Sequence, residues 1–529
     1  MWFIDRLTSR QALNLSILIF LVIVFLGEWQ ILPYTDGIIV YPLENAFTSM
    51  ATAKNLALHQ VWAPSGETFV SATSSILYPL IQAACFMVFG THIAIPLIIN
   101  TIIAIILLIV IQKWLIRHTI KPFAQLLILL SVILFVPLPI LVIIGMEHTL
   151  QILFSVLFVY TFSEKNKGMS WQVYGYAALL TATRYEGVFL VFVACLMLLS
   201  RRKWLRAGLL GLAGLLPVLI FGIISLSKDN FFLPNSVLSR SAFLPTNLDE
   251  AWAFLKTGIF ERIFYSPASL GTVAVQRILI MIPLLYLLFR RQLRDSPAYR
   301  DILLLLLGAV LMHIIFANSI LFYRYESYLV AAFLPVTGAL FASTDIRTSW
   351  RESGMVRWMA VLALLILIFP LFWRSKKAFE DIPLACINVY QQGYQLAIFL
   401  KTNNNKDNVA LYDMGTVSYL SEANSLDLMG IGNMELARAR KEKYLTPDFL
   451  LYVIQKDKVK TVVVSEKEMH PWFFQHWTRV ASWSIKGVVP PGNPDLTFFS
   501  VDKADVSDLR KRLQSFQPAL PRGVKVDYF

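Results

Sequence analysis

Apolar residues run in long unbroken blocks through the first two thirds of the chain and shorten into alternating runs in the last third. The opening block, Leu13 to Pro33, is about twenty residues long, enough at about 1.5 Å per residue to cross a hydrocarbon core of roughly 30 Å. It follows Arg6 and Arg10 and is longer than the apolar part of a signal peptide, so it reads as a retained first span with its amino end in the cytoplasm. Further spans are expected at 92–112, 123–145, 148–163, 171–183, 187–200, 206–226, 274–290, 301–322, 326–343 and 356–373, which makes eleven crossings.

Basic residues test that count. The clusters Lys113/Arg117/Lys121, Lys165/Lys167, Arg201/Arg202/Lys203/Arg206, Arg290/Arg291/Arg294 and Arg347/Arg351/Arg357 all fall on the cytoplasmic side only if the apolar stretch Ser74–Gly90 does not cross. That stretch, introduced by polar Ser71–Ser75, is expected to be a re-entrant or juxtamembrane helix over 74–90. The outer face then receives 34–73, Gly145–His148, Ser227–Gly271 and everything after Phe372. The expected organisation is a transmembrane domain over 1–373, with an outer loop at 34–73, and an extracytoplasmic domain over 374–529. Strand patterns at Asn408–Tyr412, Lys460–Val464 and Thr497–Val501 alternate with helical patterns at Asn433–Lys443 and Asp448–Lys456, which predicts a small soluble α/β domain.

Composition agrees with a lipid solvent. Of 529 residues, 57% are hydrophobic and 15% charged, against roughly 45–50% and about 25% in soluble proteins, and mean hydropathy is +0.60. A formal charge of +13 would raise the question of nucleic acid in a soluble protein; here the basic residues gather beside the spans, and nucleic acid is not expected as a partner. Cys85, Cys195 and Cys386 lie far apart and offer neither a disulfide framework nor metal-ligand spacing. The soluble part holds no Walker loop, Rossmann fingerprint or zinc spacing.

Ionisable residues at membrane depth cost several kcal/mol unless paired or hydrated, to order of magnitude, so each needs a reason. Four groups stand at one expected depth, the outer interface: Asp36 with Glu44, running into a helical pattern that carries Lys54; Glu147 and His148; Arg184 and Glu186; and Arg324 with Glu326. Each admits a plain reading. The carboxylates can mark span ends, the Arg/Glu neighbours can be structural ion pairs, His148 can be a packing histidine, and Asp36 beside Gly37 can belong to a turn.

The stretch from Glu44-Asn45 through Lys54-Asn55-Leu-Ala, followed by Gly66 and Ser71–Tyr78, resembles the first outer loop of GT-C glycosyltransferases, polytopic enzymes that use polyprenyl-phosphate sugars. It looks most like the branch containing bacterial terminal arabinofuranosyltransferases. Gly145-Met-Glu147-His148, Thr183-Arg184-Tyr-Glu186-Gly187, Leu233-Pro-Asn235-Ser, Arg324-Tyr-Glu326, Asp413-Met-Gly415 and Leu426–Gly432 resemble later landmarks in the same order. Where many members carry two adjacent acids this chain has Glu44-Asn45, which leaves one carboxylate there.

The resemblance implies an α-helical polytopic membrane protein of about eleven transmembrane helices, GT-C-like, with a C-terminal soluble α/β domain. It implies an inverting transfer from a polyprenyl-phosphate sugar donor to an extracytoplasmic glycan, lipid or protein acceptor at the bacterial cytoplasmic membrane. Glu44 is the expected base, with Asp36 the alternative. Lys54, Glu147, His148, Arg184, Glu186, Asn235, Arg240, Arg324 and Glu326 are expected to bind the donor phosphate or substrate. No particular cofactor is implied; a divalent cation, Mg or Mn, is an option the resemblance permits. The rival reading is a polytopic transporter or flippase of a lipid-linked or small polar substrate, in which the charges would line a path through the bilayer; the absence of an internal repeat argues against it.

Overall fold

The structure, a computed structural model, describes residues 7–164, 170–238, 252, 256, 270–317, 322–343, 354–403, 407–421, 423–469 and 471–529. Among these, Ser9–Tyr34, Ile95–Arg117, Trp204–Ser227 and Pro297–Phe316 are helices long and apolar enough to cross a membrane. Shorter apolar helices include Pro122–Phe135, His148–Ser163, Gly187–Ser200, Thr272–Leu288 and Ser327–Ser343. The expected span at 123–145 is two helices, Pro122–Phe135 and Leu138–Ile143, because Pro137 and Pro139 lack the backbone donors that would continue the ladder and their rings crowd the preceding turn. The last expected span does not stop at 373: its helix runs from Gly354 to Val389. Residues 374–381, Arg-Ser-Lys-Lys-Ala-Phe-Glu-Asp, are mostly good helix formers, so the polar turn in composition there is not a chain break.

One compact unit draws on Met1–Gly27, Leu97–Ile220 and Arg240–Glu380. At its centre the helix Ser327–Ser343 is buried from Ser327 to Thr337 without interruption. It packs on His148–Ser163 and Pro122–Phe135. A Cβ at Gly338 would fall 2.6 Å from Ile128 Cγ1, so glycine is what lets the two helices approach.

The second unit draws on Glu28–Pro96, Phe221–Ser239 and Asp381–Phe529. Its helix Glu44–His59 packs on Leu77–Phe89 and on Gly415–Leu420, and Ser49 Oγ donates to Gln82 Oε1 at 2.9 Å. Leu77–Phe89 has 13 residues, about 20 Å of helix, short of a hydrocarbon core.

The sheet of this unit has six strands: β1 (Asn408–Leu411), β2 (Ser425–Asp427), β3 (Val459–Val464), β4 (Thr478–Ser484), β5 (Asp495–Ser500) and β6 (Lys525–Tyr528). Their order is β2-β1-β3-β5-β4-β6, with β1 parallel to both β2 and β3 and the rest antiparallel. Period-two alternation sends Val409, Leu411, Val463 and Phe498 to one face, under helices 395–402 and 506–516. Ala410, Val462, Val464 and Phe499 go to the other, under 434–441 and 447–456. The result is a three-layer α/β/α domain.

Candidate functional site

Glu44 opens its helix, where the N-terminal end of the dipole favours a carboxylate. Both of its oxygens are held by one residue: Thr416 donates its backbone N–H to Oε2 and its hydroxyl to Oε1, each at 2.6 Å. Burial pushes the Glu44 carboxyl above its ordinary value, and the two Thr416 donors offset only part of that rise. Gly393 and Gly415 make the fit sterically feasible, since a Cβ on the first would overlap Glu44 Oε1 and on the second the Glu44 carbonyl oxygen.

Gly393 belongs to a π-helical turn, Tyr390–Tyr394, a geometry often found at functional sites. The same turn reaches the other carboxylate. Tyr390 donates its hydroxyl to Asp36 Oδ2 at 2.5 Å. Asp36 is exposed and has φ 51, a left-handed conformation that aspartate tolerates.

Glu44 also lines a cavity of about 120 Å³ whose wall includes Asn388, Gln392, Asp413, Ser465, Glu468 and Asn493. Burial raises the Glu468 carboxyl, and Asn493 Nδ2 donates to its Oε1 at 2.7 Å.

Two other expected residues of this unit donate to backbone carbonyls. Lys54 lies ten residues beyond Glu44, about 15 Å along the helix, and donates to the Tyr419 carbonyl at 3.1 Å. Asn235 donates its backbone N–H to Ser71 O at 2.8 Å and its Nδ2 to Ile431 O at 3.0 Å, and its Oδ1 is buried without a hydrogen-bond partner. Asp427 accepts backbone N–H groups of Met429 at 2.8 Å and Gly432 at 2.6 Å, closing the loop after β2. Burial outweighs these donors and pushes its carboxyl up to about 6. Arg240 lies outside the described residues.

In the first unit the remaining candidates meet. Arg184 caps the C-terminus of Trp171–Thr183, while Glu147 and Glu186 cap the N-termini of His148–Ser163 and Gly187–Ser200, so each charge suits its helix end. Arg184 grips Glu186 with Nε at 3.0 Å and Nη2 at 2.7 Å, and Glu147 with Nη1 at 2.6 Å. Arg184 and Arg324 both lie against the Tyr325 ring, 5.1 and 4.9 Å from its centroid. Arg324 also donates to Met146 Sδ at 3.2 Å and to Tyr325 Oη at 3.0 Å, and the His148 ring is 5.7 Å from that of Tyr325. Glu326 accepts from Arg374 Nε at 2.7 Å, both side chains fully buried. Three arginines and three glutamates therefore gather here.

Sequence reasoning missed Arg374, Tyr390, Gln392, Thr416 and Glu468. Arg374 had a signal, the first cation directly after an apolar run. Thr416 and Gln392 had none, because neither carries charge and both stand hundreds of residues from Glu44.

Among the comparisons with known proteins, residues 385–499 match the family model described as Domain of unknown function (DUF8728). That stretch contains every residue of the Glu44 cavity wall except Pro42 and Glu44 itself. No curated protein matches the sequence. The crystal structure of ArnT from Cupriavidus metallidurans bound to undecaprenyl phosphate superposes with a TM-score of 0.54 at 12% identity, covering 93% of this chain and 98% of that one. The apo form of the same protein gives 0.52 at 10% identity, covering 92% and 98%. The chain has the GT-C fold. At these identities the agreement is one of fold, and it extends the GT-C architecture over nearly the whole chain, the C-terminal sheet domain included.

Proposed function

We propose that the protein is a membrane glycosyltransferase that moves a sugar from a polyprenyl-phosphate donor to an acceptor outside the bacterial cytoplasmic membrane, with inversion at the anomeric carbon. The observation that carries this reading is the GT-C fold across 93% of the chain, shared with a protein crystallised with undecaprenyl phosphate. Within that fold, the loop motifs favour the branch of the terminal arabinofuranosyltransferases. The amino end lies in the cytoplasm and the C-terminal domain outside.

Glu44 is the proposed base. As the acceptor oxygen forms its bond to the anomeric carbon, its proton passes to the Glu44 carboxylate, and the bond from that carbon to the phosphate oxygen breaks to release polyprenyl phosphate. A carboxyl raised by burial is a stronger base than an exposed one, and Thr416 fixes its orientation. Asp36 is the alternative base. The guanidinium groups of Arg184 and Arg324, gathered on one tyrosine ring, support a role in stabilising the phosphate as its charge grows.

The donor set does not fit a divalent cation. Among the described residues no three His, Cys, Asp or Glu side chains are grouped to hold one.

Purified protein incubated with a panel of polyprenyl-phosphate sugars and a membrane glycolipid acceptor extract, followed by mass spectrometry, tests the proposal. Loss of sugar and appearance of free polyprenyl phosphate is the expected result. Movement of an unaltered lipid-linked sugar across a vesicle membrane, with no free polyprenyl phosphate formed, would overturn it in favour of a flippase.

A further inference from the structure

The C-terminal sheet has one position where its winding reverses. From β1 the chain passes through helix Gly415–Leu420 to β2 on one side, then through Met434–Lys441 and Pro447–Lys456 to β3 on the other. Since β1 is parallel to both neighbours, the helices leave on opposite faces and a crevice opens at the carboxyl ends of β1 and β3. In open α/β sheets such a reversal is where ligands bind. The cavity lined by Glu44 lies there: Leu411 to Asp413 leave β1 into its wall, as do Val464 and Ser465 leaving β3.

Its chemistry is selective. Glu44, Asp413 and Glu468 contribute carboxylates, Asn388, Gln392 and Asn493 contribute amides, and among the described residues no Lys, Arg or His lines it. Reversal points that take nucleotides or phosphates meet the anion with glycine-rich loops and helix N-termini; three carboxylates without a cation repel one. Hydroxyl groups suit them, because a carboxylate or amide oxygen accepts from a hydroxyl and an amide nitrogen donates to one. One donor awaits a partner. Gln392 is 7% exposed, lines the cavity, and its Nε2 has no hydrogen-bond partner. A buried unsatisfied amide costs stability, and a ligand oxygen would remove that cost.

We propose that this crevice binds a sugar without anionic groups, as the recognition site for the acceptor. The assignment rests on the transferase reading, yet it is tested by binding alone.

Full-length protein in nanodiscs would be titrated with a panel of uncharged monosaccharides, with glucuronic acid as the anionic control, and read by saturation-transfer NMR. At least one uncharged sugar should bind saturably, and glucuronic acid should not. Gln392→Leu removes the unpartnered donor at similar volume, so it should weaken binding about tenfold while leaving the melting temperature equal or higher. A glutamine that merely packs would change neither binding nor its sugar preference. Glu468→Gln, which keeps the fold's hydrogen bond to Asn493 available, should also weaken the sugar. Binding of glucuronic acid as well as neutral sugars, full binding by Gln392→Leu, or no sugar bound would each overturn the proposal. Sugar bound without any transfer activity would support this site while removing the transferase reading; transfer without sugar binding would do the reverse.

Discussion

Gly393 and Glu44 are in such close contact that the glycine hydrogen occupies the only space where a side chain would begin. A methyl group there must displace the carboxylate from Thr416 or push the π-helical turn outward. Gly393→Ala should therefore cost about 1–3 kcal/mol in thermal stability, the usual range for overpacking. It should also lower transfer activity more than Gly→Ala changes at open sites such as Gly175, which has nothing within 4 Å of a Cβ. Melting curves and product assays on the two variants make the comparison.

Glu44→Gln keeps the side-chain size and removes its basicity. Transfer should fall by about two to four orders of magnitude while expression and sedimentation stay normal. The wild-type rate should also rise with pH along a limb above the ordinary carboxylate range of about 4.3, because burial raises the Glu44 carboxyl and a base must be ionised to act. A flat residual rate in the glutamine variant and near-normal activity in Asp36→Asn would place the proton on Glu44; the opposite pair of results would move the role to Asp36.

Asp427 gives the C-terminal domain a dependence on acidity. Its carboxyl is raised to about 6 in the folded protein, against about 3.9 unfolded. The folded state thus holds the proton more tightly, and this stabilisation is complete below about pH 4 and lost as pH rises through about 6. The two-unit difference corresponds to roughly 3 kcal/mol. Asp427→Asn should flatten the slope of stability between those values and, having lost an acceptor for the Met429 or Gly432 amide, should be less stable at neutral pH. Thermal unfolding at half-unit pH steps reads both effects.

Arg374→Met would leave Glu326 buried without its cation. Removing one partner of such a pair costs about 3–5 kcal/mol, whereas replacing both by apolar residues is often close to neutral. Arg374→Met should therefore melt well below the wild type and Arg374→Met/Glu326→Leu should recover much of the loss. If the double variant is no better than the single one, the other contacts of Arg374, to Ser327 Oγ and the Phe135 carbonyl, carry the stability.

What is periodic or charged was legible in the sequence. His148–Ser163, Trp171–Thr183 and Gly187–Ser200 match their expected spans residue for residue, because polar turns with capping charges bound each apolar run. β1, β3 and β5 follow from dense β-branched and aromatic runs, whereas β4, Thr478–Ser484, is broken by serines and was not legible. The candidate charges of the first unit were found because ionised groups beside apolar runs are conspicuous, and the Arg184–Glu186 pair was legible as neighbours in sequence; Glu326 pairs with Arg374, 48 residues away, and not with its neighbour Arg324, which no local pattern announces. The grip of Thr416 on Glu44 spans 372 residues and involves a backbone amide, which no side-chain pattern announces.

The π-helical turn at Tyr390–Tyr394 has an architectural corollary. Such a turn holds one residue more than the α-helical turn it interrupts, so the extra residue is absorbed within the turn and the helix beyond it keeps its phase. Phe399 and Leu400 stay seated beneath the sheet, while the widened turn brings Gly393 against Glu44 and the Tyr390 hydroxyl onto Asp36. Deleting one residue there would remove those contacts to the two carboxylates and leave the hydrophobic seat of the domain in place.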